Sequence, residues 1–388
     1  MTKLRFLTAG ESHGKALSIV LEGMVAGLPL SEDHIYRDLR RRQGGYGRGD
    51  RMKIEQDRAE ILSGVRHGLT LGSPISMLIR NKDWENWQES MSVSPVNREI
   101  EKVSRLRPGH ADLAGALKYG QEDLRNILER ASSRETASRV AAGAVAKRFL
   151  EEFSIKVRSH VTNIGGVSSI QNLPISWESV EASPVSCSEE EASAKMVAAI
   201  DSAKKDGDTL GGVFEVIAED VPVGLGSHVH WDRRLDGAIA QAIMSIPAVK
   251  AVEIGAGFAQ ANLRGSEVHD IIEYHTGEAK QWRRPTNRAG GMEGGISNGE
   301  PIVVRAAVKP IATMVRPLSS VDFKTRKTAP AHYERSDVCI VPAAGVIGEA
   351  MLALVLADFI LEKFGGDHLR HTKDNYRNYL NEISRSKP

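Results

Sequence analysis

The spacing of apolar residues predicts an alternation of strands and helices from the start of the chain. Short apolar runs at Leu4–Thr8 and Leu17–Leu21 predict two strands joined by a glycine-containing turn. Ser31 is a favourable N-cap, and Ile35 and Leu39 fall on one face of the helix that it begins. A pair of glycines ends this helix. The first part of the chain therefore contains two strands, a turn and a helix.

The same patterns predict further elements along the rest of the chain. Strands are predicted at 75–79, 213–217 and 302–308, and helices at 134–153, 188–205, 232–246 and 342–364. The segment 155–186 is polar and without a clear period, so we expect a surface excursion around 155–208. A strand–turn–helix order recurs at 21–42 and 217–241, which is compatible with an internal pseudo-duplication. No Pro- or Ser-rich linker divides the halves, so we interpret 1–388 as one α+β domain.

Composition limits the class of protein. Hydrophobic residues make up 41% and charged residues 26% of the 388 residues, as in ordinary globular proteins. A net charge of +1 argues against a general nucleic-acid binder. Two cysteines, Cys187 and Cys339, cannot form a disulfide framework, and the N-terminus lacks a signal-peptide pattern, so we expect a cytoplasmic protein. The apolar stretch Pro342–Leu361 is interrupted by Glu349 and Asp358, which favours a buried helix over a membrane span.

Positive charge is concentrated in the segment 40–51, which contains five arginines and four glycines. The planar guanidinium group matches the oxygens of phosphates and carboxylates. Glycine allows sharp turns and lets a ligand approach the backbone closely. The segment therefore predicts an anion-binding loop that follows the first helix.

Two histidines lie in glycine-containing turns. His13 lies within Gly10–Gly14, directly after a predicted strand, and His110 lies within Arg107–Asp112. Because imidazole titrates near neutrality, it can donate a proton to a developing anion. A lone histidine of this kind is more often an inert surface residue. Two of them together with the arginine loop favour a catalytic site.

Other segments are weaker candidates. Glu129–Thr136 opens a helix whose free N–H groups could bind phosphate, although its serines could be simple N-caps. Lys309–Thr313 supplies a cation and a hydroxyl, and Asp337 beside Arg335 is either an ion pair or a general base. The glycine-rich segment 290–299 is not a dinucleotide fingerprint and could be a bare hairpin. No spacing typical of metal ligands is present in the sequence.

The residues alone leave two other functions open. The first is an RNA-binding protein that uses the arginine-glycine segment, although 5% aromatic residues offer few stacking platforms. The second is a phosphatase-like hydrolase that uses Ser12 and His13, although no Gly-x-Ser-x-Gly turn is present.

Taken together, the motifs resemble those of one family. Gly10–Gly14, Arg41–Gly49, Arg107–Asp112 and Arg335–Asp337 are similar to successive motifs of the chorismate synthases, from about Leu4 to the last helix. The resemblance implies a β-α-β sandwich with helices between two antiparallel sheets. It also implies a lyase (EC 4.2.3.5) that eliminates phosphate from 5-enolpyruvylshikimate 3-phosphate in a 1,4-anti sense to give chorismate, the seventh step of the shikimate pathway. That reaction requires reduced FMN without net redox change.

The resemblance also implies roles for individual residues. His13 would protonate or stabilise the departing phosphate, His110 would help keep the reduced flavin anionic, and Asp337 would help flavin N5 act as base. Contacts with the substrate would be made by Ser12, Arg42, Arg48, Arg51, Arg107, Arg134 and Arg335. Contacts with FMN would be made by Arg130, Ala131, Ser132, Ala248, Gly294, Lys309, Pro310, Ile311, Ala312, Thr313 and Arg335. Positions related to NADPH in the family fall on Arg42 and Arg48.

The resemblance further implies partners. It implies a homotetramer with no nucleic-acid or membrane partner, an external flavin reductase, and NADPH as an indirect reductant. Two positions depart from the family: Ser132-Ser133-Arg134 stands where Ser-Ala-Arg or Ser-Gly-Arg is usual, and Pro247-Ala248 stands where Asn-Ala is common. Proline removes a backbone donor and the amide side chain at this place.

Overall fold

The computed structural model describes residues 3–49, 55–170, 174–275, 281–334 and 336–385. The strands are β1 Arg5–Ala9, β2 Ala16–Glu22, β3 Ala26–Pro29, β4 Ala59–Ile61, β5 Val65–Arg66, β6 Leu69–Leu71, β7 Ile75–Arg80, β8 Lys156–Ile164, β9 Val167–Ser168, β10 Gly212–Glu219, β11 Val249–Ile254, β12 Glu273–Tyr274, β13 Trp282–Arg283, β14 Met292–Glu293, β15 Ile296–Ser297, β16 Ile302–Val308, β17 Ser319–Val321 and β18 Thr328–Pro330.

The α-helices are α1 Glu32–Gln43, α2 Asp112–Tyr119, α3 Arg125–Ala131, α4 Thr136–Glu151, α5 Trp177–Ala182, α6 Glu190–Asp206, α7 Leu235–Met244, α8 Gly265–Val268, α9 Val341–Phe364 and α10 Leu369–Arg385. Short 3₁₀ turns occur at Lys82–Asn86, Ser133–Glu135, Trp231–Arg233 and Gly257–Asn262.

Two antiparallel sheets supply most of the strand structure. The larger sheet has the strand order β11-β16-β10-β8-β9, and the smaller has the order β1-β2-β7-β4. Burial alternates along β2, β7 and β16, so each strand presents one face to the core. The chain is therefore of mixed helix and sheet, as the α+β class predicts.

Helices pack against both sheets. Helix α4 contacts β1 and β2 of the smaller sheet, and it also contacts β8 of the larger sheet. Helix α9 packs along α4 and contacts β8 and β10, while α7 contacts α9 and β11. Helix α1 packs on α4, α9 and β4. The sheet-facing helices thus share one hydrophobic core.

Helix α9 is a core helix, as its interrupting charges predict. Its length and composition would suit a membrane span, but 89% of its most apolar 18-residue stretch is buried inside the protein. Its one carboxylate near the middle, Glu349, has no exposed surface and accepts hydrogen bonds from Arg41 at 2.6 Å, Lys147 at 2.7 Å and Ser159 at 2.7 Å. Although burial alone would raise it, Lys147 and Arg41 lower the pKa of Glu349 to about 2. The cluster joins α1, α4, α9 and β8 through a satisfied buried charge.

One segment differs from its prediction. The expectation of an irregular polar stretch over 155–186 is wrong for its first part, because Lys156–Ile164 forms β8 in the larger sheet. Val157, Val161 and Ile164 are buried there. Ser159 and His160 are buried as well, and both hydrogen-bond to carboxylates of other elements. Because polar residues with partners can occupy a buried strand, the hydrophobic pattern alone did not predict β8.

Close approach of α4 and α9 depends on Gly143. A Cβ atom built at Gly143 would lie 2.5 Å from Ala350 Cα, which is inside van der Waals contact. We expect Gly143→Ala to lower the stability to unfolding by about 1–3 kcal/mol, because the two helices must separate. Chemical denaturation followed by circular dichroism measures this change.

Gly237 in α7 provides the matched control. The nearest atom to a Cβ built there is Arg234 Cβ at 3.9 Å, so Gly237→Ala has room. This substitution should stabilise the protein by about 0.5–1 kcal/mol through helix propensity. Equal stabilisation by both substitutions would contradict the packing role of Gly143.

Candidate active site

A cavity of about 510 Å³ lies where several loops that join sheets and helices meet. This volume is typical of small-molecule sites. The turn between β1 and β2, the loop after α1, the turn before α4, the loop after β16 and the segment before α9 all contribute to its wall. Its lining includes the following predicted residues: Ser12, His13, Arg42, Arg48, Arg107, His110, Ala131, Ser132, Arg134, Ala248, Lys309, Pro310, Ile311, Ala312, Thr313 and Asp337.

Of the other predicted residues, Arg130 and Gly294 are described by the structure and are not in this lining. Arg51 and Arg335 lie outside the described residues. Arg130 instead donates hydrogen bonds to the carbonyl of Thr8 at 2.9 Å, and it lines a neighbouring open groove. Gly294 lies in the turn of the β14–β15 hairpin, so the alternative of a hairpin for the glycine-rich segment is confirmed. The flavin contacts expected of Arg130 and Gly294 stay predictions.

Arg42 and Arg134 share one buried carboxylate. Asp57 Oδ1 accepts a hydrogen bond from Arg134 at 2.5 Å, and Asp57 Oδ2 lies 3.4 Å from Arg42 Nη1. Arg42 also donates to the Ser133 carbonyl at 2.9 Å, and Arg134 donates to Asn81 Oδ1 at 2.8 and 2.9 Å. Both guanidinium groups are held in place by this arrangement. Both side chains are thus in position before any ligand binds.

Burial affects the charge of Arg42 only slightly. Loss of solvent, partly offset by Asp57 and reinforced by the nearby Arg48 and Arg134, lowers the pKa of Arg42 to about 10. This value stays far above neutral pH, so the side chain carries its positive charge under physiological conditions. Arg42, Arg48 and Arg134 lie together in the lining, and guanidinium groups match the oxygens of an anion.

Arg107 and His110 share a second buried carboxylate. Asp112 accepts hydrogen bonds from Arg107 Nε at 2.8 Å and from His110 Nδ1 at 2.6 Å. Burial alone would raise its pKa, but the hydrogen bonds and charges of His110 and Arg107 hold the pKa of Asp112 well below its usual range. Arg107 also donates to Thr313 Oγ1 at 3.3 Å. Asp112 therefore fixes two of the predicted site residues from behind the cavity wall.

His13 is held by a third carboxylate. Its Nδ1 lies 2.9 Å from Glu129 Oε1, and Arg125 Nη1 lies 2.9 Å from the same oxygen. The His13 ring stacks on Trp87, with ring centroids 4.1 Å apart and an interplanar angle of 28°. Trp87 and Glu334 also line the cavity.

Asp337 ties the arginine-glycine loop to the start of α9. Its Oδ1 accepts a hydrogen bond from the backbone N–H of Gly49 at 2.6 Å, and its Oδ2 lies 3.5 Å from Arg48 Nη1. The loop and the segment before the last core helix are therefore joined on one side of the cavity. Asp337 pairs here with Arg48, whereas the expected partner Arg335 lies outside the described residues, and the general-base interpretation stays a prediction.

Another part of the cavity wall carries less charge. Pro247, Ala248, Pro310, Ile311 and Ala312 line it with small apolar side chains. Lys309 begins this stretch: its backbone N–H donates to the carbonyl of Ala248 at 2.9 Å, and its Nζ donates to the carbonyl of Gly109. A planar aromatic group with an anionic end suits such a surface, because apolar side chains flank hydroxyl and cationic donors.

Several functional residues were missed by reasoning from the sequence. Asp57, Asp112, Glu129, Trp87 and Glu334 each contact or adjoin a predicted residue at the cavity. Asp112 and Glu129 lie inside the motifs Arg107–Asp112 and Glu129–Thr136, but their position in the sequence does not indicate a role. Acidic residues close to arginines in these motifs are the sequence feature that could have indicated the pairs.

Comparisons with known proteins agree on one family. The sequence model described as chorismate synthase matches residues 4–361. A chorismate synthase of Moorella thermoacetica is 60% identical over 387 residues, covering 98% of this chain and 100% of that protein. One from Aquifex aeolicus is 55% identical over 392 residues, covering 98% of each chain. A crystal structure of a chorismate synthase is 47% identical, with a TM-score of 0.79 and 98% of each chain covered.

The role of Asp57 gives a testable prediction. Asp57→Asn keeps the shape of the side chain but removes the charge that neutralises Arg42 and Arg134. We expect the free energy of unfolding to fall by about 3–5 kcal/mol, because Arg42 loses its buried carboxylate and Arg134 keeps only Glu55, at 3.7 Å. Chemical denaturation measures the loss. Glu60→Gln is the control, since Glu60 forms an exposed pair with Arg80 in the same region and its loss should leave the unfolding midpoint nearly unchanged. Equal effects of the two substitutions would contradict the account.

Proposed function

The chain belongs to the chorismate synthase family, and on that premise we propose that its cavity is where the family reaction takes place. The chain is a carbon–oxygen lyase (EC 4.2.3.5) of the shikimate pathway, which converts 5-enolpyruvylshikimate 3-phosphate to chorismate by 1,4-anti elimination of phosphate. The observation that carries the assignment to this cavity is the joint presence of four arginines, a lysine and two histidines in its lining.

The charge of the substrate suits this lining. The substrate carries a phosphate and two carboxylates, and Arg42, Arg48, Arg107 and Arg134 present guanidinium groups to the cavity. Because their carboxylate partners hold these arginines in place, little reorganisation is needed when charge develops on the leaving phosphate. We assign substrate binding to them together with Ser12, and we keep Arg51 and Arg335 as proposed contacts.

His13 is the proposed acid. It lines the cavity, and its Nδ1 is engaged by Glu129, so its other ring nitrogen is the atom for proton donation. His110 and Asp337 line the same cavity and are proposed to act beside the flavin, as a cation and as a proton-accepting partner respectively. Their proposed roles rest on the family resemblance and on their place in the lining.

The residues present fit a reduced flavin. The small apolar wall from Pro310 to Ala312 would flank a flat ring, and Lys309, Ser132 and Thr313 supply a cation and hydroxyls for its polar edge and phosphate. Ala131 and Ala248 adjoin this wall, and Arg130 and Gly294 are proposed further contacts. When bound, reduced FMN supplies transient electron donation that helps phosphate leave without net redox change. NADPH is proposed as an indirect reductant, with Arg42 and Arg48 as the positions related to it.

We also propose the wider setting of the enzyme. The family resemblance is the basis for proposing a homotetramer. We further propose a cytoplasmic location, an external flavin reductase, a single domain, and a sandwich in which the two sheets enclose the helix layer. An internal pseudo-duplication is proposed from the recurring strand–turn–helix order alone.

An anaerobic assay tests the proposed function. The protein is mixed with 5-enolpyruvylshikimate 3-phosphate and chemically reduced FMN, and both chorismate and released phosphate are measured. Equal amounts of the two products are expected, with none when the FMN is oxidised. Phosphate release without chorismate and without flavin would instead indicate the phosphatase-like hydrolase. Absence of both products would contradict the proposal.

Loss of His13 should affect turnover more than binding. We expect His13→Ala to lower kcat by about 10²- to 10⁴-fold, which is the usual contribution of a general acid. The affinity for FMN, followed by flavin fluorescence, should change little. His230→Ala is the control, because His230 is exposed and pairs with Asp232 away from the cavity. Unchanged turnover of the His13 variant would remove its role.

A further inference from the structure

We propose that Glu129 is a positioning residue that fixes the orientation and protonation of His13 for proton donation to the departing phosphate. The inference rests on the proposed function and adds a residue to it. Glu129 contacts neither the substrate nor the flavin in this account, and it acts through His13.

The geometry leaves one arrangement for the His13 ring. Glu129 Oε2 accepts the backbone N–H of His13 at 2.8 Å, and Glu129 Oε1 accepts from Nδ1 at 2.9 Å. The same residue thus holds the main chain and the ring of His13 together. Because an ionised carboxylate can only accept, Nδ1 must carry hydrogen, and the proton for exchange is the one on Nε2.

Glu129 is ionised in this setting. Its side chain is 2% exposed, and burial alone would raise its pKa. The hydrogen bonds and charge of His13, followed by the charge of Arg125, lower the pKa of Glu129 below its ordinary value. Arg125 lies four residues earlier on α3, and its Nη1 is 2.9 Å from Glu129 Oε1. The carboxylate therefore offers a fixed negative charge to the imidazole.

Stacking fixes the ring from another side. Trp87 stacks on His13 at 4.1 Å, and the guanidinium of Arg125 lies 4.8 Å from the centroid of the Trp87 ring. The imidazole is thus held by a hydrogen bond along its edge and by an aromatic face. A ring held in this way needs little reorganisation before it transfers a proton.

Charged groups from two segments lie around His13. Glu129 and Arg125 face it from α3, and Glu334 approaches from the segment after β18, 3.4 Å from Arg125. Although burial alone would raise it, His332, Arg125, Arg107 and His13 lower the pKa of Glu334 to about 2. Glu334 thus pairs with Arg125, and Glu129 is the carboxylate that hydrogen-bonds to the His13 ring.

In the elimination the ring C–H bond breaks, its electron pair forms the new C=C bonds of the ring, and its proton leaves on the side where Asp337 is the proposed proton-accepting partner. The bond between the ring carbon and the ester oxygen of the substrate breaks as well, and its electron pair leaves with the phosphate. The proton on Nε2 of His13 moves to a phosphate oxygen, so the product is hydrogen phosphate rather than fully ionised phosphate. His13 is left neutral, with its Nδ1 hydrogen still donated to Glu129.

A purely structural role is the alternative. The backbone carbonyl of Glu129 also accepts a hydrogen bond from the backbone N–H of Ser12 at 3.1 Å, so the main chain of Glu129 joins the β1–β2 turn to α3 independently of its side chain. The test must therefore use measurements that a loss of structural support alone would not change.

Glu129→Gln removes the charge and keeps the size of the side chain. We expect the basic limb of the kcat/KM profile to move to lower pH by about one to three units, because the imidazolium loses its counter-ion and the acid form is lost earlier as pH rises. The substrate is the same for both proteins, so its own titration cannot produce the shift. In a His13→Ala background, Glu129→Gln should lower kcat by less than about twofold, because no further acid remains to position.

Controls separate the possible outcomes. Glu129→Asp keeps the charge, so the basic limb of its kcat/KM profile should stay at the wild-type pH while kcat falls. This variant provides the test if Glu129→Gln does not fold. Glu122→Gln, at an exposed pair with Lys102, should match the wild type. An unmoved limb in Glu129→Gln, an equal shift in Glu129→Asp, or a further large loss in the His13→Ala background would each overturn the proposal. An inactive wild-type protein would instead overturn the proposed function.

Discussion

Cations at the wall of the cavity depend on carboxylates buried behind them. Asp57 holds Arg42 and Arg134, Asp112 holds Arg107 and His110, and Glu129 holds His13. All three carboxylates are at most 2% exposed. A buried charge without a partner is strongly unfavourable, so each carboxylate must remain where it is for the wall to keep its charge. The charged lining of the cavity is therefore formed together with the fold.

The same pairs join elements that are distant in sequence. Glu129 on α3 reaches His13, 116 positions earlier in the turn between β1 and β2, and Asp57 reaches Arg134 beside α4. Removal of one partner from a buried pair costs about 3–5 kcal/mol, a large part of the 5–15 kcal/mol by which proteins are usually stable. Substitutions behind the wall are therefore expected to affect stability and activity together. When His13 is changed, Glu129 keeps Arg125 as a partner.

Much of the fold follows from local patterns, and the site follows only in part. Ser31, Ile35 and Leu39 predict α1 because capping and period are local properties. Strand β8 escaped prediction because Ser159 and His160 are polar, buried and paired with carboxylates of other elements. The arginines and histidines that line the cavity could be predicted from their glycine-containing motifs. Their carboxylate partners could not all be predicted in the same way, because pairs such as His13–Glu129 and Asp57–Arg134 are far apart in sequence and follow no periodic pattern.

Crystal structures of the protein alone and with substrate and reduced FMN test this account most directly. The same ion pairs should be present at hydrogen-bonding distance in both structures: Arg42 and Arg134 with Asp57, Arg107 with Asp112, and His13 with Glu129. The substrate would then meet cations that are already in place. Arginine side chains that leave their carboxylates to reach the substrate, or that adopt these positions only when it is bound, would contradict it.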